Sequence, residues 1–168
     1  MVLVLKPKRG GFLRPFGLGW FIKEFLLGNA PYGSDAINPS TGAPQSDIFK
    51  NYKGALARET AMDRATRTEE RGARKEKRDI NPDYIEEFYQ NYLARLPYKA
   101  QGCRYHSFVT YFSTIQKLNW VEPTGTEESS KFQNNYPEGQ PRKYFRLTAS
   151  GMAAPDHLWA NPHKALYS

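Results

Sequence analysis

Apolar side chains recur at helical spacing in three stretches of the chain, and this pattern predicts three amphipathic helices. The first covers residues 18–26, and Gly28 follows it as a natural stop. The second covers residues 82–96, and Asn81 stands where a capping residue is expected. The third covers residues 104–118. These segments are the strongest local signals in the sequence.

The third helix has two chemically different faces when its residues are placed at 100° intervals. One face is apolar and is expected to enter a core. The other face carries short hydroxyl side chains, and Lys117 lies at its end. We expect the apolar face to consist of Tyr105, Phe108, Val109, Phe112 and Ile115.

Alternating side chains predict two strands after the third helix, "NWVEP" over residues 119–123 and "RKYFRLT" over residues 142–148. We expect them to pair as an antiparallel hairpin around the polar loop 124–141. Phe145 and Leu147 should point into the core. The side chains predicted to point away from it are Tyr144, Arg146 and Thr148.

The rest of the chain is polar and divides by composition. Residues 29–48 are rich in Pro, Gly and Ser, which predicts a linker or an extended arm. Residues 49–79 favour a long charged helix that is either a solvated spacer or an arm for nucleic acid or a protein partner. We therefore divide the chain into an amphipathic segment 1–28, the arm 29–48, a basic helix 49–79, a folded domain 80–155 and an aromatic tail 156–168.

Composition narrows the range of functions. The net charge is +7, and residues 49–79 contribute ten basic and six acidic side chains to it, which favours an anionic partner.

The single cysteine excludes an intramolecular disulfide, and the three histidines have no ligand spacing, so we expect neither metal nor cofactor. No phosphate-binding loop or nucleophile motif is present, so we expect no enzyme. No apolar run is long enough for a transmembrane segment. We expect a cytoplasmic location, in the nucleoid if the protein binds DNA.

Two stretches resemble the winged-helix (winged helix-turn-helix) family of DNA-binding domains. "FSTIQKLNWVEPTG" (112–125) resembles the end of the recognition helix and the first wing strand, with Asn119 at the usual glycine. "PRKYFRLTASG" (141–151) resembles the segment that closes the wing. The resemblance covers about residues 82–152 and implies an α+β fold. We therefore expect a winged helix-turn-helix domain with an N-terminal extended arm and a long charged helix.

The resemblance also implies where double-stranded DNA would bind. The third helix would lie in the major groove, and the wing would reach the backbone or the minor groove. Arg104 would lie near the backbone at the start of the helix. The candidate nucleic-acid-binding residues are Arg104, His106, Ser107, Thr110, Ser113, Thr114, Lys117, Lys131, Arg142, Lys143 and Arg146.

Two functions follow from these patterns. The first is a DNA-binding small transcriptional regulator or chromosome-associated factor. The alternative is a structural or assembly protein that uses the winged helix and the N-terminal arms for protein–protein packing in a larger complex, such as a ribonucleoprotein or a virion. Residues 1–79 are also the candidate surface for a homodimer or a larger protein assembly. We expect the first helix to pack on the body of the same chain or on a subunit partner, and membrane-surface contact is less favoured because its polar face carries a single lysine. The candidate partner-binding residues are Leu18, Trp20, Phe21, Ile22, Phe25 and Leu26.

Overall fold

The structure is a computed structural model that describes residues 15–96, 104–128 and 142–167. Its class is α+β, with helices around a small antiparallel sheet. None of the described helices is both long enough and apolar enough to span a membrane. The elements are α1 Leu18–Leu26, β1 Ala43–Pro44, α2 Gln45–Glu76, α3 Pro82–Ala94, α4 Tyr105–Lys117, β2 Val121–Glu128, β3 Arg142–Leu147, α5 Ala149–Ala153, α6 Asp156–Ala160 and α7 Pro162–Leu166.

The sheet confirms the predicted hairpin and adds a strand to it. β2 pairs antiparallel with β3 in the register that places Val121 opposite Leu147. β1 pairs with the other edge of β3, so the strand order is β1-β3-β2. Phe145 and Leu147 are buried as predicted, but Thr148 is buried too. Its hydroxyl donates to the carbonyl of Asn119 and accepts from the backbone N–H of Gly151, so it caps α5.

α1 forms at the predicted place, but its apolar face lies inside this chain's own core. Phe21, Ile22, Phe25 and Leu26 are each at most 1% exposed, so they cannot serve as the partner-binding face proposed from the sequence. Leu18 and Trp20 are half-buried against the same core. A stripe of bulky apolar residues has the same spacing whether a partner or its own chain covers it, so periodicity could not separate the two.

The segment expected to be a linker or arm is folded onto the body. Within 29–48 the chain forms a single turn at Pro31–Gly33, then β1, and then enters α2 at Gln45. The first half of α2 buries Ile48, Tyr52 and Leu56 in the core that also holds Phe108 of α4. The start of α2 is thus a core helix, although the sequence indicated a charged helix beginning near residue 49.

The second half of α2 packs against α3 to form a helical hairpin. Its buried positions recur every four residues at Ala61, Ala65, Glu69 and Ala73. α3 itself has no fully buried side chain, although its apolar stripe is half-buried along α2. Small alanine side chains let two helices approach closely, and this is why a helix with few large apolar residues still has a buried face.

The aromatic tail folds back on the core. Trp159 is fully buried, its ring packs against Trp120 with centroids 4.8 Å apart, and its indole N–H donates to the carbonyl of Gly151. The backbone of α1 touches it at Gly19, where any side chain would overlap the Trp159 carbonyl. The C-terminal segment therefore closes the core between α1 and the end of β3.

Candidate nucleic-acid interface

α4 presents one face to the core and one to solvent, close to the prediction. Phe108, Phe112 and Ile115 are fully buried. Tyr105, expected in the core, is 53% exposed and touches Phe49 with its ring edge, because it stands at the first turn where the core ends. The predicted polar residues that are exposed are His106, Ser107, Thr110 and Lys117, and those that are half-buried are Ser113 and Thr114.

The threonine hydroxyls on this face are oriented by the helix itself. Thr110 Oγ1 donates to the carbonyl of His106 at 3.0 Å, and Thr114 Oγ1 donates to the carbonyl of Thr110 at 3.0 Å. Their protons are thereby used, and their oxygen lone pairs remain to accept hydrogen bonds. Lys117 supplies donors at the end of the same face. The face can therefore accept and donate, as contact with base edges requires.

The far side of α4 is anchored by the tail. The Tyr111 hydroxyl donates to the backbone carbonyl of Trp159. Burial raises the pKa of Tyr111 well above its ordinary value, so the phenol keeps its proton and this hydrogen bond at any physiological pH. The orientation of the exposed face thus depends on residues that follow the sheet in the chain.

The start of α4 leaves its first backbone donors without a side-chain cap. Arg104 occupies the capping position with extended backbone and an exposed side chain. Unpaired backbone N–H groups at a helix start favour an anion, and Arg104 adds a positive charge there. Arg104 is thus exposed at the start of α4.

The wing strand carries fewer free cations than the sequence indicated. Arg142 forms an ion pair with Asp47 at the start of α2, with Nη1 and Oδ1 2.8 Å apart. Arg146 forms one with Glu122 on β2, with Nε and Oε1 2.9 Å apart. Lys143 is exposed, and Lys131 lies outside the described residues. Strand alternation shows which way Arg142 points, but only the tertiary structure brings Asp47 to it.

The sequence indicated the basic segment 49–79 as a possible arm for nucleic acid, but it did not show which of its cations share an exposed face. The face of α2 opposite α3 carries five basic side chains, and every one is exposed. Successive members of this set are three, four, three and one residues apart, which the sequence shows. The sequence does not show which face of α2 packs against α3. These residues, named here the arginine stripe, are Arg64, Arg67, Arg71, Arg74 and Lys75.

The α2–α3 turn holds a buried carboxylate. Glu69 is 1% exposed, accepts hydrogen bonds from the Arg78 guanidinium at 2.8 Å, and accepts another from the backbone N–H of Asn81. The hydrogen bonds from Arg78 lower the pKa of Glu69 to about 2 against the opposing effect of burial. Arg78 also pairs with Glu76. One arginine thus binds two carboxylates of α2.

The described residues contain no cluster of three His, Cys, Asp or Glu side chains that could hold a metal ion. No protein-family model, curated protein or solved structure matches the chain.

Proposed function

We propose that this chain is a winged-helix protein that binds double-stranded DNA, as a small transcriptional regulator or chromosome-associated factor, with α4 contacting base edges. The observation that carries the proposal is the chain order α1, β1, α2, α4, β2, β3 combined with the sheet order β1-β3-β2. Winged-helix domains have three helices before a terminal hairpin, and their first strand pairs with their last. On this assignment α1 and α2 precede the recognition helix, and α3, which the sequence resemblance over residues 82–152 had included, is an insertion.

The turn after α4 supports the same assignment. Asn119 has φ of +60°, a left-handed conformation that glycine and asparagine tolerate best. The N–H of Trp120 returns to the carbonyl of Ile115 at 3.0 Å, which ends the helix sharply before β2. A glycine is usual at this position of the family pattern, and the backbone conformation explains why asparagine can replace it.

The exposed face of α4 suits the major groove of a duplex. The groove admits an α-helix, and each base pair presents a distinct set of donors, acceptors and methyl groups there. Lys117 can donate to guanine acceptors, and Thr110 can accept from an amino group or pack its methyl against thymine. His106 and Ser107 lie one turn nearer the start of the helix, beside Arg104.

The structure weakens the alternative that this chain is a structural or assembly protein. It rested in part on the proline-rich apolar N-terminus, and within the described residues the apolar face of α1 is buried by the chain's own α2, sheet and tail. DNA binding is therefore the function we favour.

Sequence-selective binding by the full chain tests the proposal. Duplexes enriched from a random pool should bind more tightly than the pool, and Lys117→Gln should reduce that preference by about 1–3 kcal/mol, the worth of one good base contact. Thr110→Val, which keeps the shape and removes the oxygen, should change which bases are preferred at one or two positions. The measurement is competition binding between the enriched duplex and the pool at constant salt.

Lys164→Gln is the matched control, because Lys164 is an exposed lysine on α7, outside α4 and the wing. It should leave the preference unchanged. Failure of the wild-type chain to enrich any duplex would contradict the proposal, as would equal preference in the Lys117 and Lys164 variants.

A further inference from the structure

The arginine stripe runs along the exposed side of α2, opposite the hairpin partner. With 3.6 residues per turn, Arg64, Arg67, Arg71, Arg74 and Lys75 fall within one sector of the helix, whereas Ala61, Ala65 and Ala73 face α3. The stripe spans eleven residue steps, or about 16 Å at about 1.5 Å per residue. It is a straight row of cations on a rigid support.

The nearest carboxylates do not neutralise this row. Glu69 and Glu76 both bind Arg78 at the turn, so two of the acids on α2 are already used. Among the described residues, no carboxylate lies within ion-pair distance of any of the stripe's five side chains, although Asp63 and Glu70 lie on the same helix. The pairing at the turn therefore leaves the stripe available to an external anion.

The chemistry of the stripe fits a phosphodiester backbone better than other anions. Guanidinium groups bind phosphate through two parallel hydrogen bonds, and a row of about 16 Å matches the rise of about five phosphates of one strand measured along the duplex axis. No large apolar side chain lies between the arginines to enter a bilayer. The wing arginines Arg142 and Arg146 are held in ion pairs, whereas the stripe presents five exposed cations with no ion pair to a described carboxylate.

We propose that the arginine stripe is a second nucleic-acid site, which binds the phosphate backbone of a duplex without regard to sequence. This inference rests on the nucleic-acid binding in the proposed function and adds a separate role. α4 supplies preference among sequences, and the stripe supplies affinity that depends on salt. The α2–α3 hairpin is then an electrostatic arm that the insertion adds to the domain.

The test is the salt dependence of binding by the full chain carrying Arg64→Gln, Arg67→Gln, Arg71→Gln and Arg74→Gln together. Glutamine has nearly the helix propensity of arginine, so α2 should persist, which circular dichroism checks. Each lost phosphate contact lowers the slope of log K against log salt by about 0.9, so the slope should fall by up to about 3.6 on a random-sequence DNA duplex. An RNA duplex should show a similar fall if the stripe binds only backbone phosphates.

A control variant with the same loss of charge shows whether a lower salt slope comes from the stripe itself or from the lower net charge of the whole chain. Lys50→Gln, Lys77→Gln, Arg95→Gln and Lys164→Gln together remove four exposed cations outside the stripe, α4 and the wing. We expect the control to keep most of the wild-type slope. Equal losses in both variants, or an unchanged slope in the stripe variant, would overturn the inference.

The two proposals have different readouts. The stripe variant should lose affinity for the enriched duplex and for the random pool by the same factor, so its sequence preference should stay at the wild-type value. If the stripe variant loses slope while the wild type shows no sequence preference, the inference stands and the α4 proposal fails. If the wild type binds no nucleic acid, both fail.

Discussion

Gly42 lies directly before β1, and its backbone has φ of +74°. A side-chain carbon added there would overlap the backbone carbonyl of Phe145, the residue that pairs with Ala43 across the sheet. Gly42 thus allows the close approach by which β1 joins β3. The third strand of the sheet depends on this single residue having no side chain.

We expect Gly42→Ala to lower the free energy of unfolding by roughly 3–5 kcal/mol, because it adds a backbone overlap to a strained φ. Gly125→Ala is the matched control: its φ is +85°, and nothing lies within 4 Å of the added carbon. Gly125→Ala should lower the free energy of unfolding only through backbone strain, by about 1–2 kcal/mol. Urea denaturation of both variants gives the comparison, and equal losses would show that β1 does not approach β3 so closely.

At the scale of elements, the α2–α3 hairpin is closed by a turn in which Lys77 has φ of +55° and the N–H of Arg78 returns to the carbonyl of Ala73. The turn brings Arg78 and the backbone N–H of Asn81 onto Glu69. A buried carboxylate is tolerated only with such partners. The hairpin therefore depends on one ionised side chain as well as on packing.

This predicts a pH dependence for hairpin stability. The pKa of Glu69 is lowered in the folded chain from 4.5 to about 2, so its ionised form stabilises the fold above pH 4.5, and this contribution is lost as the pH falls toward 2. Glu69→Gln should be less stable than wild type at neutral pH, and the difference should shrink across that interval. Thermal unfolding of both proteins at several pH values measures this difference in stability.

Glu76→Gln is the control for charge, because Glu76 binds the same arginine from a position where it is 64% exposed. Its effect should be small and should vary little with pH, since exposed ion pairs contribute little. A constant difference between Glu69→Gln and wild type from neutral pH down to pH 2 would contradict this account.

At the scale of the molecule, α1 and the C-terminal tail meet in one core within the described residues. Trp159 contacts Trp120 and Gly151, and its carbonyl accepts from Tyr111 of α4 and lies against Gly19 of α1. α1, α4 and the sheet are therefore held together by a residue of the C-terminal tail. We infer that these parts unfold together.

Trp159→Ala should lower the free energy of unfolding by about 3–5 kcal/mol, as large-to-small substitutions of buried aromatic residues do. Tyr167→Ala is its control, since Tyr167 lies in the same tail and is 73% exposed. The control should change stability by less than about 0.5 kcal/mol. Urea unfolding followed by circular dichroism and by tryptophan fluorescence should give coincident transitions, and separate transitions would refute a single core.

The candidate site was predictable in part. Helical periodicity placed Phe108, Phe112 and Ile115 in the core and left Thr110 and Lys117 outside, because both faces of α4 are encoded within thirteen residues. Which cations of the wing are held in ion pairs was not predictable. Arg142 pairs with Asp47 across 95 residues, and no local pattern carries such a contact.

The sequence by itself determined the helices α1, α3 and α4, the charged second half of α2, the pairing of β2 with β3, and the inward direction of Phe145 and Leu147, because propensity and periodicity act over a few residues. Only the tertiary structure decided that α1 belongs to the core, that residues 43–44 complete the sheet, and that α3 packs on α2. It also decided which cations are paired and which are left in the arginine stripe. These outcomes depend on contacts between distant residues, and an amphipathic stripe or a charged side chain does not specify what will cover it.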